Sequence, residues 1–331
     1  MRRFSSVPAL AQPRAPGCGT VLPVDTWAEV AGASTGRRTS PAAVTIGTFD
    51  GVHRGHQHLL TRTREVADGL PVVAITFDPH PLAVTRPDLA PVLLTTIERR
   101  VELLRAHGAD EVRVLDFTRE MAAWSPAEFV DRALVQDLEA RHVVVGESFR
   151  FGARAAGDTD FLREHCARLG VSAEPLTLLR DGEFSSTQVR RHVAAGDLLA
   201  AAEVLGRPHE VAGTVTQGDQ RGRDLGYPTA NVPVDEHYAV PPDGVYAGRF
   251  VVAGATYPAA VSIGTNPTFD GRERRVESYV MDHGHDLDLY GRDVRVELVE
   301  QVRTMASFDS VDALVAQMRD DVEAVRVVLG H

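Results

Sequence analysis

The strongest constraint on this fold is a change of rhythm near residue 207. Before it, short apolar runs alternate with helical stretches of ten to fifteen residues. The runs lie at residues 43–48 (AVTIGT), 72–77 (VVAITF), 112–115, 143–145 and 171–178. Between them, residues 55–67 carry Leu59, Leu60 and Val66 on one side, and residues 96–107 carry Ile97, Val101 and Leu104. A helix opened by Ser125-Pro126 and another at residues 160–169 continue the series. Ser then Pro is a good N-cap followed by a proline that fits the first helical turn. Strands separated by helices of this length predict βαβ units, hence a doubly wound parallel sheet with helices on both faces. Ligands of such sheets sit beyond the carboxyl ends of the strands, so the loop after the first strand is where chemistry is expected.

After residue 207 the helical period fades and Gly and Pro punctuate short strands at residues 211–216, 244–252, 256–263, 275–281 and 294–298. In the last, Val294, Val296 and Leu298 alternate with Arg295 and Glu297, the pattern of a half-buried strand. Such strands predict a small antiparallel β-barrel. One amphipathic helix closes the chain, with Val311, Val315, Met318, Val322 and Val325 as a core-facing stripe. The expected division is a first domain over residues 21–197, a linker helix over 198–206 that includes the Ala-rich stretch 198–205, and a second domain over 207–331. Two domains suit a length of 331 residues. Residues 1–20 read as a disordered extension. They are poor in acids, and Pro8, Pro13 and Pro16 interrupt any amphipathic helix.

Composition narrows the partners. The formal net charge of −11 gives no general attraction to DNA or RNA, so no nucleic-acid partner is expected. A small nucleotide remains compatible, because it needs only a local nest of donors and a metal. Cys18 and Cys166 show no pairing pattern and argue against a disulfide scaffold or a zinc site. No apolar run approaches the roughly 18 residues of a membrane span, so a soluble, cytoplasmic protein without a membrane partner is expected.

Residues 47–56 read GTFDGVHRGH. Gly47, Gly51 and Gly55 allow the backbone close to a phosphate, and the start of a helix adds free N–H donors and a positive dipole end. Phe49 and Asp50 lie in the same loop, and His53 and His56 flank Gly55. Two imidazoles there can donate to charge developing on a phosphate, chemistry that rests on positioning and charge stabilisation.

A second constellation lies in the barrel half. Gly218, Arg221, Gly222 and Arg223 form a glycine-rich basic loop before the tetrapeptide PTAN, in which Thr229 and Asn231 are two residues apart. On an extended segment they share a face, where their oxygens suit Mg²⁺ completed by phosphates; a turn with a satisfied Asn is the competing reading. Glu277, an acid within an apolar run, is a candidate general base or an exposed strand carboxylate.

The loop at 47–56 resembles the nucleotidyltransferases with an HxGH motif, which cleave ATP between the α- and β-phosphates. TFDPHP at residues 76–81, VGESFRFG at 145–152 and SSTQVR at 185–190 resemble the adenylylating half of bacterial FAD synthetases. GRDLGYPTANV, PPDGVYA, SIGTNPTF and VES followed by DLYG resemble riboflavin kinases in the same order. The whole, over about residues 20–330, resembles the bacterial bifunctional riboflavin kinase/FMN adenylyltransferase family. That resemblance implies an HxGH-type first domain and a riboflavin kinase barrel, with ATP, riboflavin and FMN as substrates and Mg²⁺ as cofactor. It leaves room for a weak homo-oligomer.

Residue by residue, the resemblance implies catalytic roles for His53, His56 and Glu277, and nucleotide contacts from the two glycine-rich loops and from Ser186, Thr187 and Arg190. Thr229 and Asn231 would serve the metal. Phe77, Pro79, Ser148, Phe149 and Phe151 would contact flavin, although paired aromatics are as often simply core. The chain departs from the family at Ser148, where Asn or Asp is usual, leaving as an alternative a riboflavin kinase with a weak or repurposed adenylylating half. His209 and Gln217 are lesser departures, replacing Tyr and His. His283 and His285 read as loop polarity, and His107, His142, His165 and His192 as structural or solvated.

Overall fold

The computed structural model describes residues 27–177, 184–218, 222, 225–265, 274–282 and 287–330. The expected extension at residues 1–20, with Cys18, lies outside them, as do Arg221, Arg223, His283 and His285.

Five strands form the first sheet: β1 (Ala42–Ile46), β2 (Val72–Asp78), β3 (Glu111–Asp116), β4 (Ala140–Gly146) and β5 (Ser172–Leu176). They pair in the order β3-β2-β1-β4-β5, all parallel. A central parallel strand is covered on both faces and reads as a near-continuous apolar run. Accordingly every residue of β1 is buried. Val44, Ile46, Val73 and Ile75 pack on one side with Phe129, Leu134 and Leu162. Ala74, Val112, Val114 and Val144 pack on the other with Leu59, Leu60, Val101 and Leu104.

The next helices are α1 (Arg54–Val66), α2 (Pro81–Thr85), α3 (Ile97–Ala106), α4 (Arg119–Ala122), α5 (Pro126–Phe129) and α6 (Thr159–Arg168), and all but α2, which buries no residue, contribute to those covers. Thr96 caps α3 by accepting from the Arg99 amide, and Asp158 caps α6 by accepting from Phe161. Ser125 and Glu128 form a reciprocal capping box at α5, as the Ser-Pro start implied. That helix is α-helical for only four residues and continues as a π-helix over Val130–Gln136.

Two helices lead out of this half: α7 (Ser186–Ala194), which the sequence reading did not identify, and α8 (Leu198–Leu205), the expected linker helix. Ser185 caps α7, and Gly206 ends α8 at φ +77°, where a side chain would be strained.

The second sheet is antiparallel: β6 (His209–Thr214), β7 (Thr229–Pro233), β8 (Gly244–Val252), β9 (Ala255–Thr265), β10 (Arg274–Val280) and β11 (Asp293–Thr304), in the order β6-β11-β8-β9-β10-β7. It curls into a half-barrel around Tyr246, Phe250, Val261, Ile263, Val276 and Val296. A bridge between Thr216 and Asn231 ties its two edges. The C-terminal helix, Val311–Leu329, packs Val325 against Ala247 and Met281, while Arg303 grips Asp321 with two bonds of 2.7 Å. Its apolar stripe is not wholly core: Val311, at the helix start, is 61% exposed.

The halves are docked. Leu94, Val189, Val193, Val204, Leu205 and Ala239 form an apolar seam. Beside it, Arg99 pairs with buried Glu210 through bonds of 2.6 and 3.2 Å.

Candidate active sites

In a sheet ordered β3-β2-β1-β4-β5 the connections reverse direction between β1 and β4, which opens a crevice at their carboxyl ends. A cavity of about 1170 Å³ lies there, lined by Gly47 and Phe49 after β1, Phe77 near the end of β2, Gly146 at the end of β4, and Ser148, Phe149 and Phe151 beyond it. His56 reaches it from α1.

The loop from Gly47 to His53 is tightly wound. Phe49 and Val52 adopt positive φ (+49° and +41°), sparsely populated for residues with a side chain. The Val52 amide donates to the Phe49 carbonyl at 3.0 Å and closes the turn. A Cβ on Gly47 would lie 3.2 Å from the Phe49 ring. That ring stands edge-on to His56, with centroids 5.1 Å apart.

His53 takes the N-cap position of α1 without capping it by its side chain. The two imidazoles are stacked, centroids 3.6 Å apart and planes 23° from parallel. Each has a buried Nδ1 without a hydrogen-bond partner. Burial, then Arg190 and Arg207, push His53 down to about 3. Burial, His53 and Arg100 push His56 well below its ordinary value. Both rings are therefore neutral near pH 7.

The start of α7 abuts this loop. A Cβ on Gly55 would lie 3.0 Å from the Phe184 carbonyl, and the Ser186 hydroxyl donates to the Asp50 carbonyl at 2.8 Å. Thr187, the next residue, is exposed. Two expected phosphate contacts are occupied otherwise. Asp50 is 1% exposed, its carboxylate bonded to Leu94, Thr95 and Arg190. Gly51, at φ +81°, faces Leu94 and Leu205 of the seam.

The two phenylalanines after β4 differ. Phe149 stacks on Phe151 at 5.3 Å, and Phe151 also packs against Phe129 and Phe161. Phe151 is 7% exposed and belongs to the core, whereas Phe149 is half-buried. Phe77 lines the cavity and Pro79 does not, its place being taken by His80 and Pro81. His80 Nδ1 accepts from the Leu82 amide at 3.1 Å, which leaves Nε2 to carry the ring proton. His80 lies within TFDPHP, where only Phe77 and Pro79 read as flavin contacts. Phe117, Arg119 and Trp124, from the stretch between β3 and α5, and Arg154, from a turn after β4, complete the wall; nothing in the sequence joins the two segments.

In the half-barrel, Thr229 pairs with Tyr279 and Asn231 with Glu277 across the β7–β10 ladder. Opposed residues point to the same face, so Thr229, Asn231 and Glu277 share one side of the sheet. Asn231 is 6% exposed and its amide reaches the Thr229 carbonyl at 3.4 Å. Gly218 lies directly over it: a Cβ there would stand 2.3–2.7 Å from the Asn231 amide group. A cleft of about 60 Å³ opens between Gly218, Thr229, Asn231 and Tyr290. A Cβ on Gly222 would meet the Tyr227 carbonyl at 2.3 Å, so Gly222 lies hard against the segment before β7.

Residues 36–188 match the family described as FAD synthetase, and residues 205–329 the family described as riboflavin kinase. A bifunctional riboflavin kinase/FMN adenylyltransferase of Listeria monocytogenes is 36% identical, covering 85% of this chain and 90% of the relative. One from Pseudomonas fluorescens is 39% identical (86% and 92%), and one from Escherichia coli K12 is 36% identical (87% and 92%). The crystal structure of a macrolide-efflux protein from Streptococcus pneumoniae aligns with a TM-score of 0.77 at 33% identity, covering 88% of this chain and 95% of that one. Among the described residues here, no helix is long and apolar enough to cross a membrane.

Proposed function

Because the chain belongs to the bifunctional riboflavin kinase/FMN adenylyltransferase family, we propose that it converts riboflavin to FAD in two ATP-dependent steps at two separate sites. The half-barrel transfers the γ-phosphate of ATP to riboflavin, giving FMN and ADP. The α/β half transfers AMP from a second ATP to FMN, giving FAD and pyrophosphate. We assign residues 21–197 to the second reaction, 207–331 to the first and 198–206 to the link between them.

In adenylyl transfer the FMN phosphate is already ionised, so an oxygen attacks the α-phosphorus without a general base and pyrophosphate leaves. The protein's work is then alignment and charge stabilisation. His53 and His56, neutral and stacked at the start of α1, each carry one N–H to donate to phosphate oxygens as charge develops. The open first-turn amides of α1 add donors. Ser186, Thr187 and Arg190 at the adjoining start of α7 suit the departing pyrophosphate. The cavity with Phe77 and Phe149 in its wall accommodates the flavin ring.

In the kinase half, Glu277 takes the proton of the ribityl 5′-hydroxyl as its oxygen attacks the γ-phosphorus. Thr229 and Asn231 would hold Mg²⁺, which when bound neutralises charge on the ATP phosphates. The residues fit: a hydroxyl and an amide oxygen on one sheet face are neutral, hard donors. Among the described residues no cluster of three or more His, Cys, Asp or Glu could hold a metal, so most ligands would be phosphate and water. The buried free thiol of Cys166 suits a reducing, cytoplasmic setting.

The observation that carries the reading is the pair of buried, neutral, stacked imidazoles beside a flavin-sized cavity. The test is a time course with riboflavin, ATP and Mg²⁺, the flavins separated by chromatography. FMN is expected first and FAD after it. FMN that accumulates without FAD, even when FMN is supplied directly, would leave the α/β half without its assigned reaction.

A further inference from the structure

Asp50 is among the most heavily engaged carboxylates of the chain. It is 1% exposed and accepts from the Leu94 amide at 2.9 and 3.1 Å, the Thr95 amide at 3.2 Å and the Thr95 hydroxyl at 3.3 Å. Arg190 Nη2 donates to it at 2.5 Å, and Arg100 Nη2 lies 3.6 Å away. A carboxylate so occupied has little capacity left for a nucleotide.

Arg190 has a second anchor, because its Nε donates to the Val92 carbonyl at 2.6 Å. Both anchors therefore depend on residues 92–95, one directly and one through Asp50. The other edge of that short strap is stitched to the half-barrel. The Leu93 amide donates to the His237 carbonyl at 2.6 Å, and the Ala239 amide donates to the Leu93 carbonyl at 2.8 Å. Ala239 is held in turn by His209, whose Nε2 lies 2.9 Å from its carbonyl oxygen. Leu94 and Ala239 also pack against Val189 and Val193 of α7, the helix that carries Arg190. The contacts thus run without a break from the half-barrel, through the strap and Asp50, to Arg190.

We propose that Asp50 is a positioning residue for adenylyl transfer: it fixes Arg190 through a strap, residues 92–95, that the half-barrel clamps from behind. The α/β half then depends on its docked neighbour for the geometry of its own site. Asp50 touches no substrate. Its substitution should act through Arg190 and leave riboflavin phosphorylation alone. This inference rests on the adenylyl-transfer reading of the α/β half.

The test is a double-mutant cycle on the full chain, with FAD formation from FMN and ATP and riboflavin phosphorylation measured in parallel. Asp50→Asn and Arg190→Ala should each lower kcat for FAD formation by about tenfold or more. The double variant should be no slower than Arg190→Ala alone, since residues that act as a unit are not additive. Ala239→Pro removes the amide bond to Leu93 and should also slow FAD formation, with phosphorylation within about twofold. Losses that multiply in the double variant would overturn the proposal, as would an Ala239→Pro protein that makes FAD at the parental rate or loses both activities together. If Asp50→Asn does not fold, Thr95→Val, which deletes one hydroxyl, runs the same cycle at smaller amplitude. A parent enzyme that makes no FAD removes the adenylyl-transfer reading itself. A parent that makes FAD while the losses multiply removes only the strap.

Discussion

Asn231 and Glu277 stand directly opposite one another in the β7–β10 ladder. The pairing brings an amide and a carboxylate, 46 positions apart in the chain, onto one face of the half-barrel. With Asn231 holding a metal and Glu277 accepting a proton, as proposed, this pairing would supply what phosphoryl transfer to a hydroxyl needs. Asn231→Ala should weaken the apparent Mg²⁺ affinity of riboflavin phosphorylation by about tenfold or more while FAD formation from FMN continues. Titrating Mg²⁺ in each assay reads this directly.

Gly218 cannot accept a side chain without displacing Asn231. An alanine Cβ would come within 2.3 Å of the Asn231 amide nitrogen, so Asn231 would have to leave its place. Gly218→Ala should raise the KM for ATP in phosphorylation and leave adenylyl transfer intact. Equal kinetics for the variant and its parent would show that the Asn231 amide is not needed where it stands.

Phe149 and Phe151 separate a binding role from a packing role. Phe151 is enclosed by three other phenylalanines, and Phe151→Ala should destabilise the protein by about 3 kcal/mol or more. Phe149→Ala should leave thermal stability nearly intact but raise the KM for FMN by roughly five- to tenfold. Melting curves and FMN saturation curves for both variants make the comparison.

Acid should destabilise the fold early. His53 stays neutral in the folded protein down to about 3, whereas a histidine in the unfolded chain takes its proton near 6.5. The unfolded state thus binds the extra proton between those values. Stability is complete above pH 6.5 and falls as pH drops through the window. His56 and His209, also depressed mainly by burial, act in the same direction. His53 alone contributes about 1.4 kcal/mol per pH unit between its folded and unfolded values. Chemical denaturation at pH 7.5 and pH 5.5 should show the loss, and His53→Ala should reduce it.

Much of this fold was legible because a doubly covered parallel strand reads as a near-continuous apolar run, broken in β1 and β2 only by Thr45, Thr76 and the terminal Asp78. The loop at Gly47–His56 was legible for a related reason: glycines and imidazoles at a strand-to-helix turn have few other uses. What escaped depends on tertiary context. The helix from Ser186 was hidden because Ser-Ser-Thr reads as a loop until Ser185 caps it. Asp50 looked like a ligand contact because nothing local reveals that residues 94 and 95 will cover it. Phe149 and Phe151 look alike in sequence, and only the ring of neighbours around Phe151 distinguishes them. Val311 continued a regular apolar stripe but stands exposed, outside the cluster that gathers Val322 and Val325 against Ala247 and Met281.

Two substitutions test most directly whether the two proposed reactions run at two separate sites of one chain. Supplied with riboflavin, ATP and Mg²⁺, His53→Ala should accumulate FMN and make FAD at least roughly a hundredfold more slowly than the parent. Glu277→Ala should make FAD normally from supplied FMN and form almost no FMN from riboflavin. Either variant losing both activities together, or His53→Ala making FAD at the parental rate, would contradict the account.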